Sequence, residues 1–301
     1  MELIRSILEG KNDLSKDDIW QLSGMIQDHY RQTPNVIDLQ TEDVIFVGDL
    51  HGELECAQAV QRLVQKYKKH HFVFLGDYAD RGPKQIETFN LVMALTLANP
   101  NRVTMIRGNH ESDHIAVKYG FYNEVARVHS FEVFKHYSRV FEVLPIAVYK
   151  EGSYFGCHGG IPEGVSSIQE IQSKNRRNPD FPDDIIFQIV WNDPREKDYA
   201  FRPNSRGQQA RYFGKVAFTK FMDDIDAQIM FRAHEVFPDG YQTFFDGRLV
   251  SVFSATYGTR VKPKVVRLCK DLRIEPLDLL DAEERAYEHF RDNPVRNNSD
   301  D

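Results

Sequence analysis

Asp49 and His51 stand two residues apart in Gly48-Asp49-Leu50-His51-Gly52, so in an extended segment both side chains point to the same side. A carboxylate oxygen beside an imidazole nitrogen is a ligand pair for a borderline divalent metal such as manganese, iron or zinc. Four further clusters repeat this chemistry: Gly76-Asp77-Tyr78-Ala79-Asp80-Arg81-Gly82, Arg107-Gly108-Asn109-His110-Glu111, His158-Gly159-Gly160 and Arg232-Ala233-His234-Glu235. Asp77 can bridge two metals through its carboxylate, and Asn109, His158 and His234 would complete a second position. Oxygen and nitrogen donors without any thiolate disfavour a structural zinc site, which usually needs several cysteines. A lone Gly-Asp pair is usually a turn, and a lone histidine is usually a hydrogen-bonded core residue or a surface one. That plain reading fits His29, His70, His71, His114, His129, His136 and His289. It does not fit five clusters in one chain, which together spell a two-metal hydrolase.

Something must bring these side chains together. Residues 44–47, 72–75 and 103–106, just before the first three clusters, are rich in β-branched and aromatic types and read as buried strands. The carboxyl ends of such strands are where open α/β sheets gather ligands. Strands at 43–48, 71–76 and 102–106 alternate with helices at 53–69, 83–98 and between 111 and 137, which predicts a parallel sheet with helices packed on it. Helical spacing also runs through residues 2–32, with a break at Gly10 to Asp13 and a second start at Ser15, where Asp18 completes the capping pair.

After Pro145 the pattern changes. Residues 146–149 and 154–157 flank Glu151-Gly152, and 241–245 and 248–253 flank Asp246-Gly247, both hairpin signals, the second favouring a type I′ turn. With another strand at 265–268 and a helix at 214–224, the second half reads as a mostly antiparallel sheet. The expected fold is α/β: one domain over 1–301 with a central β-sandwich of two mixed sheets flanked by helices. Residues 1–40 are expected to form an N-terminal helical segment. Residues 173–183 and 192–210 read as polar surface loops, and 291–301 as a frayed polar tail.

Composition excludes several classes. The net charge of −7 leaves no surplus of cations to displace counterions from a nucleic-acid backbone. No apolar stretch approaches the ~18 residues of a membrane span, and the N-terminus lacks the apolar region of a signal peptide. The 3 cysteines, Cys56, Cys157 and Cys269, are far apart and odd in number, which points to a reducing cytoplasm rather than a disulfide framework.

The clusters Gly-Asp-x-His-Gly, Gly-Asp-x-x-Asp-Arg-Gly and Gly-Asn-His-Glu resemble those of the phosphoprotein phosphatase family of metal-dependent serine/threonine phosphatases. The likeness is strongest to the catalytic subunits of protein phosphatases 1 and 2A and their archaeal relatives, and it extends from about Asp43 to Leu268. Residues 119–124, 144–147, 191–194, 204–207, 239–241 and 252–255 agree with it. The resemblance implies a calcineurin-like metallophosphatase fold. It implies two divalent metals, manganese first and iron or zinc as alternatives, with Asp49, His51 and Asp77 on one and Asp77, Asn109, His158 and His234 on the other. A hydroxide bridging the two would attack a phosphoserine or phosphothreonine in line. His110 would protonate the leaving oxygen, oriented by Asp80, and Arg81, Arg206 and Tyr257 would bind the phosphate. Arg202 and Arg211 share the loop of Arg206 and compete with it for that role. The chain departs from the family at Ser254-Ala255-Thr256-Tyr257-Gly258, one residue shorter before the tyrosine than the eukaryotic enzymes and without the cysteine after it.

The partners implied are phosphoprotein substrates and possible regulatory proteins. Two rival functions share these residues: hydrolysis of nucleotides or dinucleotide polyphosphates on the same fold, and a catalytically silent scaffold. The single histidine of 232–235 speaks against the first, because many such hydrolases end in Gly-His-x-His. The intact ligand set speaks against the second.

Overall fold

A computed structural model describes residues 1–280. Its strands, in chain order, are β1 (Val36–Asp38), β2 (Val44–Val47), β3 (His71–Phe74), β4 (Val103–Met105), β5 (Ala147–Lys150), β6 (Tyr154–Cys157), β7 (Asp193–Pro194), β8 (Phe201–Asn204), β9 (Gly207–Phe213), β10 (Ile229–Arg232), β11 (Tyr241–Phe244), β12 (Leu249–Val252), β13 (Lys264–Leu268) and β14 (Ile274–Asp278). They form a five-stranded sheet ordered β14-β13-β2-β3-β4, a six-stranded sheet ordered β1-β5-β6-β10-β12-β11 and a small sheet ordered β7-β9-β8.

The two large sheets pack face to face because their strands alternate between two apolar layers. Phe46 and Phe231 stack at 4.0 Å between ring centroids, and Val73, Leu75, Tyr154 and Val250 fill the same buried layer. Ile45, Val47, Phe72 and Phe74 point the other way, into a core shared with helices Lys16–Tyr30, Leu54–Lys66, Gln85–Ala98 and Phe131–Val143. Phe155, Cys157, Met230 and Leu249 face a third layer with helices Asp184–Trp191 and Lys215–Asp224. The expected α/β sandwich of two mixed sheets flanked by helices is therefore the observed one. The capping box at Ser15 and Asp18 is present as well.

Within it, the expectation of a mostly antiparallel second sheet is corrected. β6, β10 and β12 run parallel, as do β1 and β5, and only the β5–β6 and β11–β12 hairpins are antiparallel. The strand β10 inserts between the β5–β6 and β11–β12 hairpins, and a local turn signal carries no information about such an insertion. The second hairpin also turns through a four-residue connection, since Phe244 pairs with Leu249. The reading of 192–210 as surface loop is corrected too, because β7, β8 and the start of β9 lie in it. The N-terminal segment is helical only as far as Tyr30; β1 then joins the sheet edge, too short to show alternation. The expected tail at 291–301 lies outside the described residues.

What matters for chemistry is polarity. β2, β3 and β4 are mutually parallel, as are β6 and β10, so Asp49, Asp77, Asn109, His158 and His234 all lie just past the carboxyl ends of strands. An isolated bridge from Asp49 to Phe253 ties the two sheets together at that edge.

Candidate metal centre

Six side chains named from the sequence converge at this edge, all of them buried. His51 donates from Nδ1 to the Ala79 carbonyl (3.1 Å), which turns its Nε2 toward Asp49 Oδ2 (3.6 Å) and Asp77 Oδ2 (3.7 Å). His158 donates from Nδ1 to the Leu75 carbonyl (2.8 Å), and its Nε2 lies 2.8 Å from Asn109 Oδ1, 3.1 Å from His234 Nδ1 and 3.4 Å from Asp77 Oδ2. Asp77 Oδ2 is thus common to two donor groups.

The donor set fits a pair of cations. Burial disfavours charge on His158, but Asp77 outweighs it and raises its pKa; with Nδ1 committed to Leu75, its Nε2 faces an amide oxygen, a second imidazole nitrogen and a carboxylate. A proton at Nε2 could serve one of them, whereas a divalent ion satisfies all four together. Burial and the neighbouring His110 push the His51 imidazole down to about 3, and burial with Arg206 holds His234 well below its usual range. Both rings are then in the neutral form that binds metal. Burial and the Asp77 charge raise Asp49 to about 6, while His158 and His110 overcome burial to keep Asp77 well below the usual carboxylate range. One more acid in so small a space calls for positive charge.

The backbone bends hard to deliver these groups. Among the described residues twelve other than glycine have a left-handed φ, and six are His51, Asp77, Asp80, Arg81, His234 and Tyr257. Gly76 and Gly108 let two of the loops touch: a Cβ on Gly76 would sit 2.3 Å from the Gly108 nitrogen.

His110 and Asp80 pair as the resemblance implies. His110 Nδ1 lies 2.6 Å from Asp80 Oδ2, and its Nε2 points to the cavity, 3.9 Å from Asp77 Oδ2. The other Asp80 oxygen accepts from the Phe121 N–H (2.9 Å), so the carboxylate is fixed at both ends. Burial disfavours charge on His110, but Asp77 and Asp80 outweigh it and raise its pKa.

A cavity of about 280 Å³ opens over the cluster, lined also by Arg81, Arg206 and Tyr257. Arg81 lies on the Tyr119 ring (4.4 Å) and donates to the Tyr257 hydroxyl (2.8 Å). Arg206 sits in the β8–β9 turn and donates through Nε to Asp193 Oδ2 (2.7 Å), which leaves its terminal nitrogens for a ligand. Its two competitors are engaged elsewhere. Arg211 pairs with Glu163 (2.9 Å), and Arg202 lies near the Tyr199 ring.

Sequence reasoning passed over three residues that shape the site. Glu111 accepts the backbone N–H groups of Asp77, Tyr78 and Gly108 at 2.8–3.0 Å, clamping the second cluster to the third. Asp193 holds Arg206 and the fully buried Arg232. Glu53 accepts from Thr256 and Tyr257 and fixes the shortened loop. Glu111 and Asp193 lie inside stretches that the sequence already marked, and Glu53 directly follows Gly52, but their partners are distant backbone and side-chain groups that no local pattern shows.

Residues 43–238 match the family model described as calcineurin-like phosphoesterase, and the chain belongs to that family. Within it, the chain is 35% identical over 80% of its length to serine/threonine-protein phosphatase PP2A-like PPG1 of Candida albicans, of which the match spans 58%. It is 33% identical to the serine/threonine-protein phosphatase 4 catalytic subunit of Kluyveromyces lactis, over 84% of this chain and 82% of that one. A solved protein serine/threonine phosphatase from Saccharomyces cerevisiae, with similarity to human phosphatase PP5, superposes with a TM-score of 0.79 at 27% identity, covering 89% of this chain and 91% of that chain.

Proposed function

We propose that this chain is a metal-dependent protein phosphatase that hydrolyses phosphoserine and phosphothreonine. The observation that carries the reading is one cavity lined by five of the six metal-type donors, by His110 with Asp80 behind it, and by the two arginines Arg81 and Arg206. Asp49, His51 and Asp77 would hold one divalent ion and Asp77, Asn109, His158 and His234 the other, manganese being the first expectation. Such ions supply positive charge at the phosphate oxygens and a water of lowered pKa. The chain's own groups do the rest. Arg81 and Arg206 fork onto the phosphate and favour the charge that builds on it. His110, protonated, presents Nε2–H to the departing alkoxide oxygen while Asp80 holds Nδ1–H.

Cys56, Cys157 and Cys269 are joined by no disulfide, which supports the proposed cytoplasmic setting; among the described residues no helix is long and apolar enough to cross a membrane. Proteins that position phosphoprotein substrates or regulate turnover are the partners this reading calls for. The test is phosphate release from a phosphoserine peptide beside a dinucleotide polyphosphate, each with and without added manganese. Manganese-dependent turnover of the peptide supports the reading, and turnover of the dinucleotide alone overturns it.

The two arginine assignments separate cleanly by mutation. Arg206→Ala should raise KM and the inhibition constant for inorganic phosphate by about 10–100-fold, the size of a lost charge-assisted fork of ~1.5–3 kcal/mol. Metal content and thermal midpoint should stay put. Arg202→Ala and Arg211→Ala remove half-solvated charges and should change KM less than about 5-fold. An Arg211→Ala defect as large as that of Arg206→Ala, in folded and metal-loaded protein, would reverse the assignment.

A further inference from the structure

Beside the reacting cavity lies a second one of about 340 Å³, and the two share His51, Arg81 and Tyr257. Its far wall is the loop from Thr256 to Lys262, whose shape is set from both ends. At one end the buried Glu53 carboxylate accepts from the Thr256 N–H and hydroxyl (2.5 and 2.8 Å) and from the Tyr257 N–H (2.7 Å). At the other, Val261 is buried against Phe253, Ala255 and Tyr257, its N–H bonded to the Thr256 carbonyl (2.9 Å), and the Lys262 N–H reaches the Pro238 carbonyl. Arg260 stands between these anchors. It is exposed, it lines the cavity, and it makes no hydrogen bond or ion pair with any described residue.

The charges in this second cavity are unevenly committed. Glu53 is spent on the loop, whereas Arg81 is held by two tyrosines and Arg260 by no described residue. Among the described residues, Arg260 is the one exposed cation of this far wall that lines the cavity, so it matches one acidic side chain. An extended peptide advances roughly 3.3 Å per residue, so a substrate with its phosphate on Arg81 reaches the adjoining cavity within a few residues. We infer that this cavity is a subsite for a single acidic side chain flanking the phosphorylated residue, with Arg260 as its specificity-determining partner. The inference rests on the phosphatase reading given above.

The test uses the manganese-loaded full chain and a set of phosphothreonine peptides in a neutral background, with one aspartate moved from three residues before to three after the phosphorylated position. p-Nitrophenyl phosphate serves as a substrate with no flanking residues. One aspartate position should raise kcat/KM by about 2–5-fold, the size of a solvent-exposed charge pair. Arg260→Ala should abolish that gain and Arg260→Glu should turn it into a loss, both leaving p-nitrophenyl phosphate turnover unchanged. The subsite is overturned by a gain that survives Arg260→Ala, by the absence of any favoured position, or by an equal loss on the aryl phosphate. Turnover of the aryl phosphate with no phosphopeptide turnover at all would instead overturn the protein phosphatase reading beneath it.

Discussion

Asp77→Asn is expected to leave the protein folded and to release metal from both positions at once. The substituted amide still accepts the His110 N–H (2.9 Å) through its oxygen, so the local hydrogen bonding survives. What disappears is the charge on Oδ2, the atom that faces His51 at 3.7 Å and His158 at 3.4 Å. A carboxylate common to two donor groups cannot be lost from one alone. Metal analysis of the purified variant should show a deficit larger than one ion per chain relative to wild type. Activity should fall on the order of 10³-fold, which is several kcal/mol of lost charge stabilisation at 1.36 kcal/mol per decade. Equal metal content and equal turnover in the two proteins would remove Asp77 from its shared role.

The second large effect falls on His110 and depends on the leaving group. His110→Asn should keep both metals and lower turnover of phosphoserine and phosphothreonine by about 10²–10⁴-fold, the range of general acid catalysis. A p-nitrophenolate leaves without help, so the aryl phosphate should lose far less. A matched loss on both substrate types would assign the residue another task. Asp80→Asn probes the same pair through pH. Asp80 is among the groups that raise the His110 pKa, so its loss lets the imidazolium give up its proton at lower pH. The alkaline limb of the kcat profile should therefore move toward acid, and an unmoved limb would mean that the proton is held elsewhere.

The site was more legible in the sequence than the sheet that carries it. Asp49, Asp77 and Asn109 follow runs such as 44–47 and 72–75, whose burial on both faces is written in continuous apolar residues. β10 reads Ile-Met-Phe-Arg, just as buried and just as long, yet it ends in a cation. That cation, Arg232, is satisfied by Glu235 three residues on and by the Gly159 and Asn192 carbonyls, Asp193 and Ser251, groups 19 to 73 residues away in the chain. β8 and the start of β9 expose polar side chains and look like loop because they form a peripheral sheet with little to bury. The same non-locality hid Glu111 and Asp193. A carboxylate that collects three backbone N–H groups from two loops has no periodicity of its own. Arg206 could be chosen over Arg211 from its Ser205-Arg206-Gly207 context and the following Phe213-Gly214, but its hold at the cavity wall comes from Asp193.

The six left-handed residues at the centre have a consequence for the whole chain. Each such conformation costs a non-glycine residue about 1–2 kcal/mol. Together they approach the ~5–15 kcal/mol net stability of an ordinary domain. Crowded carboxylates and facing lone pairs add to the burden, so a metal-stripped chain is held in shape by the sandwich against the preferences of its own loops. Each ion present at a hundred times its dissociation constant adds about 2.7 kcal/mol, which for a chain of this size moves the thermal midpoint by roughly 4 °C. A chelator should show that drop, and amide exchange should quicken first at the ends of β2, β3 and β6. Metal starvation in a cell would then act on this protein twice, by slowing turnover and by shortening the lifetime of the chain itself.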